Sequence, residues 1–404
     1  MTWRNNISIK GVALSILLTL ILIKIMDQAF LFYLPDQKYL FPPMSKAVYK
    51  TKEFDAVASI NRFGFRGDET EISKGQILVI GDSTTFGWGL KDDDVWARLV
   101  EKQLKSSGVD LKVYNLGVPG TDTDFHIEVA EHWVKKLKPK FVVISVLIGD
   151  DFQQILEKNA ERAFPKHSDD SAPPYLKILL KSAKARLKIL FPGLYKFYSL
   201  ARDFKIVKAN KPEVFFITRN WGEESLEFMR DNKIHPTADI LRLAAVGDIN
   251  PGLFYLAAKY PNRGYQFWDE AAQKNSPASF VLAELTKKFS DLSFLIKSSG
   301  GKLIIFSMPW GGYVNGKIVA NYRKYGFNIP ENTLVSYKPE IFLEKLAKTS
   351  DALFVPSLTV FREHKGAELF FPLDGHPSPE GSRLIAHIIS KALLNQIGTP
   401  TSTK

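Results

Sequence analysis

The sequence of 404 residues contains no cysteine. This absence excludes a disulfide framework, a cysteine-ligated zinc site, an iron–sulfur cluster, a thiol nucleophile and a lipidated lipoprotein cysteine. It does not indicate a compartment, because cysteine-free proteins occur on both sides of a membrane. Hydrophobic residues make up 45% of the chain and charged residues 24%, which excludes a disordered, collagenous or coiled-coil protein. At this length we expect one enlarged α/β domain, or one domain with an insert.

Acidic residues are in deficit: 43 Asp and Glu stand against 54 Lys and Arg, for a formal net charge of +11. Such a charge favours polyanionic neighbours, namely anionic lipid, acidic glycan or nucleic acid. Nucleic acid is the weakest of the three, because the chain has no recognisable nucleic-acid-binding module and begins with an apolar segment. The oligomeric state is not indicated by any feature of the sequence.

The N-terminal segment contains a run of thirteen apolar or small residues without a charge, at positions 11–23. Continued to residue 26, it would span roughly 24 Å as a helix. A buried core helix, a cleaved signal peptide and an uncleaved membrane anchor all compete as explanations. No small-x-small cleavage pair follows the run, and the aromatic stretch at 30–33 suits a membrane interface. We therefore predict a single-pass anchor over residues 1–35, with an extracytoplasmic soluble domain. Lysines on both sides of the run leave the orientation less secure.

Short apolar runs alternate with amphipathic segments through much of the remaining chain. The run at 141–147 (FVVISVL) is apolar on both faces, as strands of covered parallel sheets are. The pattern predicts a doubly wound α/β sheet whose halves occupy residues 36–151 and 277–398. The predicted strands are 76–80, 111–116, 141–147, 302–307 and 352–355, and the predicted helices are 94–106, 126–137, 280–296, 339–346 and 379–394.

Residues 152–276 interrupt this alternation and are predicted to form a largely helical, basic insert. Between positions 166 and 211 there are eleven Lys or Arg and three acidic residues, interleaved with aromatic and leucine side chains. Such a segment fits a basic amphipathic lid that touches a membrane surface or an acidic substrate. It also fits a solvated helix pair whose apolar face packs on the core. The residues after 398 form a short polar tail.

Polar residues concentrate where the predicted strands end. Residues 81–89 (GDSTTFGWG) follow the first strand and place Ser83 where doubly wound sheets carry their reacting groups. Residues 115–120 (NLGVPG) follow the second strand, and the glycine at 117 could lend its N–H to an oxyanion. Residues 148–151 (IGDD) follow the third. Near the C-terminus, residues 374–381 (DGHPSPEG) offer His376 as a base held by Asp374.

These blocks, in the order Gly-Asp-Ser, Asn-x-Gly, Gly-Asp-Asp and Asp-x-His, resemble the SGNH family, also called GDSL hydrolases. The resemblance is strongest at residues 77–89 and 374–381, and it covers the two sheet halves. Residues 61–67 (NRFGFRG) resemble a segment that often precedes the serine block in membrane-anchored members. The insert matches no segment of the family.

The resemblance implies a flavodoxin-like three-layer α/β/α sandwich and a serine mechanism. Ser83 would be the nucleophile, His376 the base and Asp374 the carboxylate that orients it. The oxyanion hole would consist of the Ser83 and Gly117 N–H groups and the side chain at position 150. The neighbouring carboxylates Asp82 and Asp151 are expected to contact substrate. No cofactor is implied, and no metal is expected because no His/Asp/Glu cluster has ligand spacing.

Position 150 departs from the family pattern, because Asp150 stands where the family has asparagine. An ionised carboxylate cannot donate a hydrogen bond and would repel an oxyanion. Loss of one such donor typically costs about 10² to 10³ in turnover. Asp150 could still donate if burial and the charges of Asp82 or Asp151 raised its pKa. Otherwise the enzyme would be slow, would work at acid pH or would be inactive.

The sequence thus predicts a serine ester hydrolase or O-acyltransferase that forms an acyl-enzyme. The expected substrate is an acylated envelope glycan or a lipid ester, in keeping with an anchor and a basic face. The alternative is a catalytically weak or inactive protein of the same fold that binds glycan or assists assembly at the membrane.

Overall fold

The computed structural model describes residues 9–33, 40–69, 71–149, 151–163, 190–194, 214–262, 264–366 and 368–398. The chain divides into two compact units: residues 1–39 with 165–212, and residues 40–164 with 213–404. The predicted insert, 152–276, is therefore split between them, and its part from 213 onward clusters with the α/β sheet. The predicted basic lid at 166–211 lies outside the described residues except at 190–194, as does the tail at 399–404.

The first unit contains helix α1 (Ile9–Tyr33). The Lys24 ammonium donates to the carbonyl of Leu190 at 2.6 Å, and the Leu194 N–H donates to the Asp27 carboxylate at 2.9 Å. The Lys24 and Asp27 side chains also pair with each other at 3.2 Å. Over the part of the chain that the structure describes, no helix has the length and apolar character needed to cross a membrane.

The described strands of the second unit are β1 (Lys46–Lys50), β2 (Asp55–Ser59), β3 (Ile77–Gly81), β4 (Val113–Gly117), β5 (Phe141–Leu147), β6 (Val214–Ile217), β7 (Lys302–Met308) and β8 (Leu353–Val355). The unit is built on a five-stranded parallel sheet in the order β4-β3-β5-β7-β8. Counted within this sheet, the order is 2-1-3-4-5, that of flavodoxin. The predicted α/β class with a parallel sheet is confirmed, and each predicted strand agrees with an observed one to within two residues at either end.

Helices cover both faces of this sheet, which is why its central strands β3 and β5 are buried along their whole length. The described helices after α1 are α2 (Ser83–Phe86), α3 (Trp96–Ser106), α4 (Thr123–Leu137), α5 (Asp151–Ala163), α6 (Trp221–Asp231), α7 (Ala238–Ala245), α8 (Pro251–Lys259), α9 (Phe267–Ala271), α10 (Pro277–Ser298), α11 (Gly316–Tyr325), α12 (Lys338–Thr349), α13 (Leu358–Glu363) and α14 (Pro379–Ile397). Helices α3 and α14 contact each other in one layer, while α4, α5 and α12 each contact α10 in the other.

A second, three-stranded sheet in the order β2-β1-β6 was not predicted. Strands β1 and β2 form an antiparallel hairpin, and β6 joins β1 in parallel from more than 160 residues away. The strands have four or five residues each, and pairing over such a separation leaves no local signal. The predicted helical insert therefore contains a strand. Tyr49 of β1 lies edge-on to Trp88, with ring centroids 4.9 Å apart, so this sheet packs beside the serine block.

Candidate active site

Ser83 is the first residue of α2, directly after strand β3. The Asp82 carboxylate caps this helix by accepting the N–H of Thr84 at 2.9 Å. A Cβ atom at Gly81 would lie 2.2 Å from the Thr85 hydroxyl, so glycine lets the end of β3 pack closely against α2. The turn places the Ser83 side chain at the carboxyl edge of the parallel sheet, where such folds bind ligands.

Arg66 supports the turn that follows α2. Its buried guanidinium donates to the carbonyls of Phe86 at 2.8 Å and Leu90 at 2.5 Å, and also to the carbonyl of Gly87. An ion pair with Asp92 at 3.1 Å holds the same group. The segment 61–67, singled out from the sequence, therefore includes the residue that satisfies three carbonyls behind the serine.

His376 joins Ser83 to Asp374. The His376 Nε2 atom lies 2.7 Å from the Ser83 hydroxyl, and Nδ1 contacts the Asp374 carboxylate. With Nδ1–H donating to Asp374, Nε2 is free to accept the serine proton. Burial alone would lower the pKa of His376, but the Asp374 and Asp82 carboxylates together outweigh it and hold that pKa above its ordinary value. The structure thus brings together the three side chains expected to act as nucleophile, base and orienting acid.

The loop that carries Asp374 and His376 is held by two tyrosine side chains that no sequence motif indicates. The Tyr322 hydroxyl donates to the Asp374 carbonyl at 2.7 Å, and the Tyr325 hydroxyl donates to the Leu373 carbonyl at 3.1 Å. Both tyrosines belong to α11. Gly375, which follows Asp374, has a φ of +84°, and a Cβ there would lie 2.4 Å from the Tyr322 oxygen. These contacts hold the loop in the shape that presents the imidazole to Ser83.

The Ser83 and His376 side chains open into a cleft of about 230 Å³. Its walls are largely aromatic and aliphatic, with few polar groups, as in sites for small organic ligands. Trp88 stacks on the His376 ring with centroids 5.8 Å apart. The lining comes from several elements and includes Trp88, Pro119, Gly120, Leu147, Gly149, Leu253, Leu256, Trp310, Tyr322 and Phe327. Leu253 and Leu256 belong to α8, so part of the predicted insert forms a wall of the cleft.

Gly117 does not fit the role expected for it. It is buried in β4, does not line the cleft, and its N–H donates to the Asn115 side chain at 2.9 Å. A Cβ at this position would lie 2.2 Å from the Phe86 nitrogen, so the glycine is needed for close packing of β4 on α2. Gly120, three residues later, lines the cleft beside Ser83 with a φ of +74°. The sequence pattern contains both glycines but does not show which one is exposed.

Of the three acidic residues expected in the cleft, Asp150 lies outside the described residues. Asp151 is wholly buried at the start of α5 and does not line the cleft. Its carboxylate accepts the Leu147 N–H at 2.9 Å, while burial and the Asp82 charge raise its pKa well above the ordinary range. Asp151 is therefore structural, and its predicted contact with substrate is wrong. Asp82 does line the cleft, although its carboxylate also caps α2.

Similarity to known proteins is found among solved structures. The chain matches no protein-family model and no curated protein. It is similar to the solved structure of TesA, with 12% identity over 79% of this chain and 97% of that chain, at a TM-score of 0.35. It is also similar to a catalytic mutant of Axe2, an acetylxylan esterase from Geobacillus stearothermophilus, with 13% identity over 82% and 97% of the two chains, at a TM-score of 0.34.

Proposed function

We propose that this protein is a serine ester hydrolase or O-acyltransferase. The observation that supports it most is the continuous chain from the Ser83 hydroxyl through His376 to Asp374, at the mouth of a cleft on the carboxyl edge of the sheet. A serine hydroxyl is activated as a nucleophile by an adjacent base that a third group orients.

In the proposed reaction, His376 takes the proton of Ser83 as the serine oxygen bonds to the ester carbonyl carbon. The resulting oxyanion accepts hydrogen bonds from the Ser83 and Gly120 N–H groups. Among the hydrogen bonds of turns, loops and caps in the described residues, neither of these N–H groups donates to a backbone carbonyl. The tetrahedral intermediate collapses, and His376 gives its proton to the departing alcohol. Water, or the hydroxyl of an acceptor, then attacks the acyl-enzyme with His376 again acting as base.

The cleft supports an acyl ester as substrate. Trp88, Leu253 and Leu256 offer apolar contact to an acyl chain, while the positive net charge favours an anionic envelope glycan or lipid surface as its source. The proposed location is the membrane, by the predicted anchor at residues 1–35. A second candidate, a glycan-binding or assembly protein without turnover, is favoured by the aspartate at position 150 in place of asparagine.

The test measures hydrolysis of p-nitrophenyl acetate and p-nitrophenyl octanoate by the full-length protein between pH 5.5 and 9. Loss of activity in Ser83→Ala and in His376→Ala is expected, and Ser298→Ala, on the exposed face of α10, is the matched control. A rise in activity in Asp150→Asn would show that the native aspartate weakens the oxyanion hole. Absence of serine-dependent hydrolysis in both the parent and Asp150→Asn would favour the binding protein.

A further inference from the structure

Glu53 lies in the turn between strands β1 and β2, outside every motif recognised in the sequence. The turn closes with a hydrogen bond from the Thr51 N–H to the Phe54 carbonyl at 2.9 Å, and the Thr51 hydroxyl accepts the Glu53 N–H at 3.2 Å. Phe54 packs edge-on against Phe371, with ring centroids 5.1 Å apart. These contacts seat the hairpin turn against the loop of residues 371–376.

The Glu53 carboxylate bridges two consecutive backbone N–H groups of this loop. One oxygen accepts the Leu373 N–H at 2.6 Å, and the other accepts the Asp374 N–H at 2.9 Å. Because Tyr322 and Tyr325 hold the carbonyls of the same two residues, the Asp374 backbone is fixed on both its donor and acceptor sides. Each oxygen of Glu53 is needed, since a carboxylate accepts at both atoms and a neutral carboxyl group loses one acceptor.

Several groups surround the Glu53 carboxylate. Burial and the charges of Asp374 and Asp248 disfavour its ionised form, while the two N–H groups favour it, and together they raise the pKa of Glu53 to about 7. Tyr322 and Tyr325 face it from α11, and Lys52 on its own turn is exposed. Glu53 therefore changes its ionisation near neutral pH.

We propose that Glu53 is a positioning residue, whose ionised carboxylate holds the Asp374 loop in the shape that presents His376 to Ser83. The inference rests on the proposed function of that site. When Glu53 is protonated, one of the two N–H groups loses its acceptor and the Asp374 loop loosens. Small displacements of a catalytic group cost large factors in rate. Activity should therefore depend on Glu53 as well as on His376 on the acid side of neutral.

Glu53→Gln tests this, because glutamine has the shape of the protonated acid and does not titrate. We expect the ratio of wild-type to Glu53→Gln kcat/KM to fall from about 10 at pH 8.5 to about 1 at pH 5.5. The matched control is Glu340→Gln. Glu340 accepts the N–H groups of Ser357 and Leu358 at 2.7 and 2.9 Å, away from the cleft, so its ratio to wild type should not change with pH. A constant ratio for Glu53→Gln, or the same trend in Glu340→Gln, would overturn the proposal.

A second measurement does not depend on activity. In full-length His376→Ala protein labelled with ¹⁵N-leucine, which lacks the titrating imidazole of this loop, the Leu373 amide signal, assigned by its loss in Leu373→Met, should shift with a midpoint near pH 7 and should stay constant once Glu53→Gln is added. Persistence of the shift with Glu53→Gln, or its absence while Glu53 is present, would refute the role of Glu53. If Ser83→Ala does not affect hydrolysis, the proposed function fails, and the Leu373 signal still decides whether Glu53 controls the loop.

Discussion

The serine turn (residues 81–89) and the histidine loop (residues 371–378) meet in one site but are held in different ways. The serine turn is fixed by residues near it in the sequence: Asp82 caps its helix, and Arg66, 20 residues before Phe86, binds the carbonyls behind it. The histidine loop is held by Glu53, more than 300 residues earlier, and by the tyrosines of α11. Ser83 is therefore positioned mainly by nearby sequence, and His376 mainly by distant side chains.

The strongest test of this contrast removes the orienting charge from the histidine loop. Asp374→Asn keeps the shape of the side chain but favours the wrong imidazole tautomer, so ester hydrolysis should fall by about 10⁴-fold. Steady-state kinetics and the thermal unfolding temperature, measured on the same preparation, check this. A fall in stability without that loss of rate would make Asp374 structural instead.

On the serine side, Arg66→Met should affect stability more than any change to the histidine loop. It leaves the Phe86 and Leu90 carbonyls without the buried guanidinium and takes one of two donors from the Gly87 carbonyl, so the free energy of unfolding should drop by about 3 kcal/mol. Urea denaturation of the full chain measures it. Exposed Arg383→Met, whose partner is a neighbouring glutamate on the surface, is the control and should change little.

Tyr322→Phe tests one of the contacts that hold the histidine loop. It removes one hydroxyl that donates to the Asp374 carbonyl and leaves the ring packing in place. We expect kcat to fall by about tenfold, because the loop keeps its contacts to Glu53 and Tyr325 but loses one constraint near the reacting atoms. A KM change with kcat unaltered would instead indicate that Tyr322 contacts substrate, which it is placed to do on the cleft wall.

The smallest expected effect comes from Asp151, beneath the serine turn. Burial raises the pKa of Asp151 in the folded state. The free energy of unfolding is therefore highest below the ordinary carboxyl pKa, where Asp151 is neutral, and it falls as pH rises toward the folded pKa. Asp151→Asn has no charge to bury, so this fall is expected to disappear. Its melting temperature should match wild type near pH 4 and exceed it by about 2 °C at pH 8. A difference independent of pH would contradict this assignment.

The sequence allowed prediction of the features that have a local signal. Five apolar runs predicted the five parallel strands, and motif order placed Ser83, Asp374 and His376 at one edge of the sheet, where the structure has them. Glu53 has no such signal, because a glutamate in a polar hairpin turn resembles any solvated residue. For the same reason the exposure of Gly120 and the burial of Asp151 depend on packing that no spacing pattern encodes.

In the proposed reaction His376, held by its loop, activates Ser83. This activation can be measured by intact mass after brief exposure of the full-length protein to a fluorophosphonate, which reacts with activated serines. We expect a single adduct on wild type that maps to Ser83, much slower labelling of His376→Ala and none of Ser83→Ala. Labelling of Ser83→Ala at the wild-type rate, or no adduct on wild type, would contradict it.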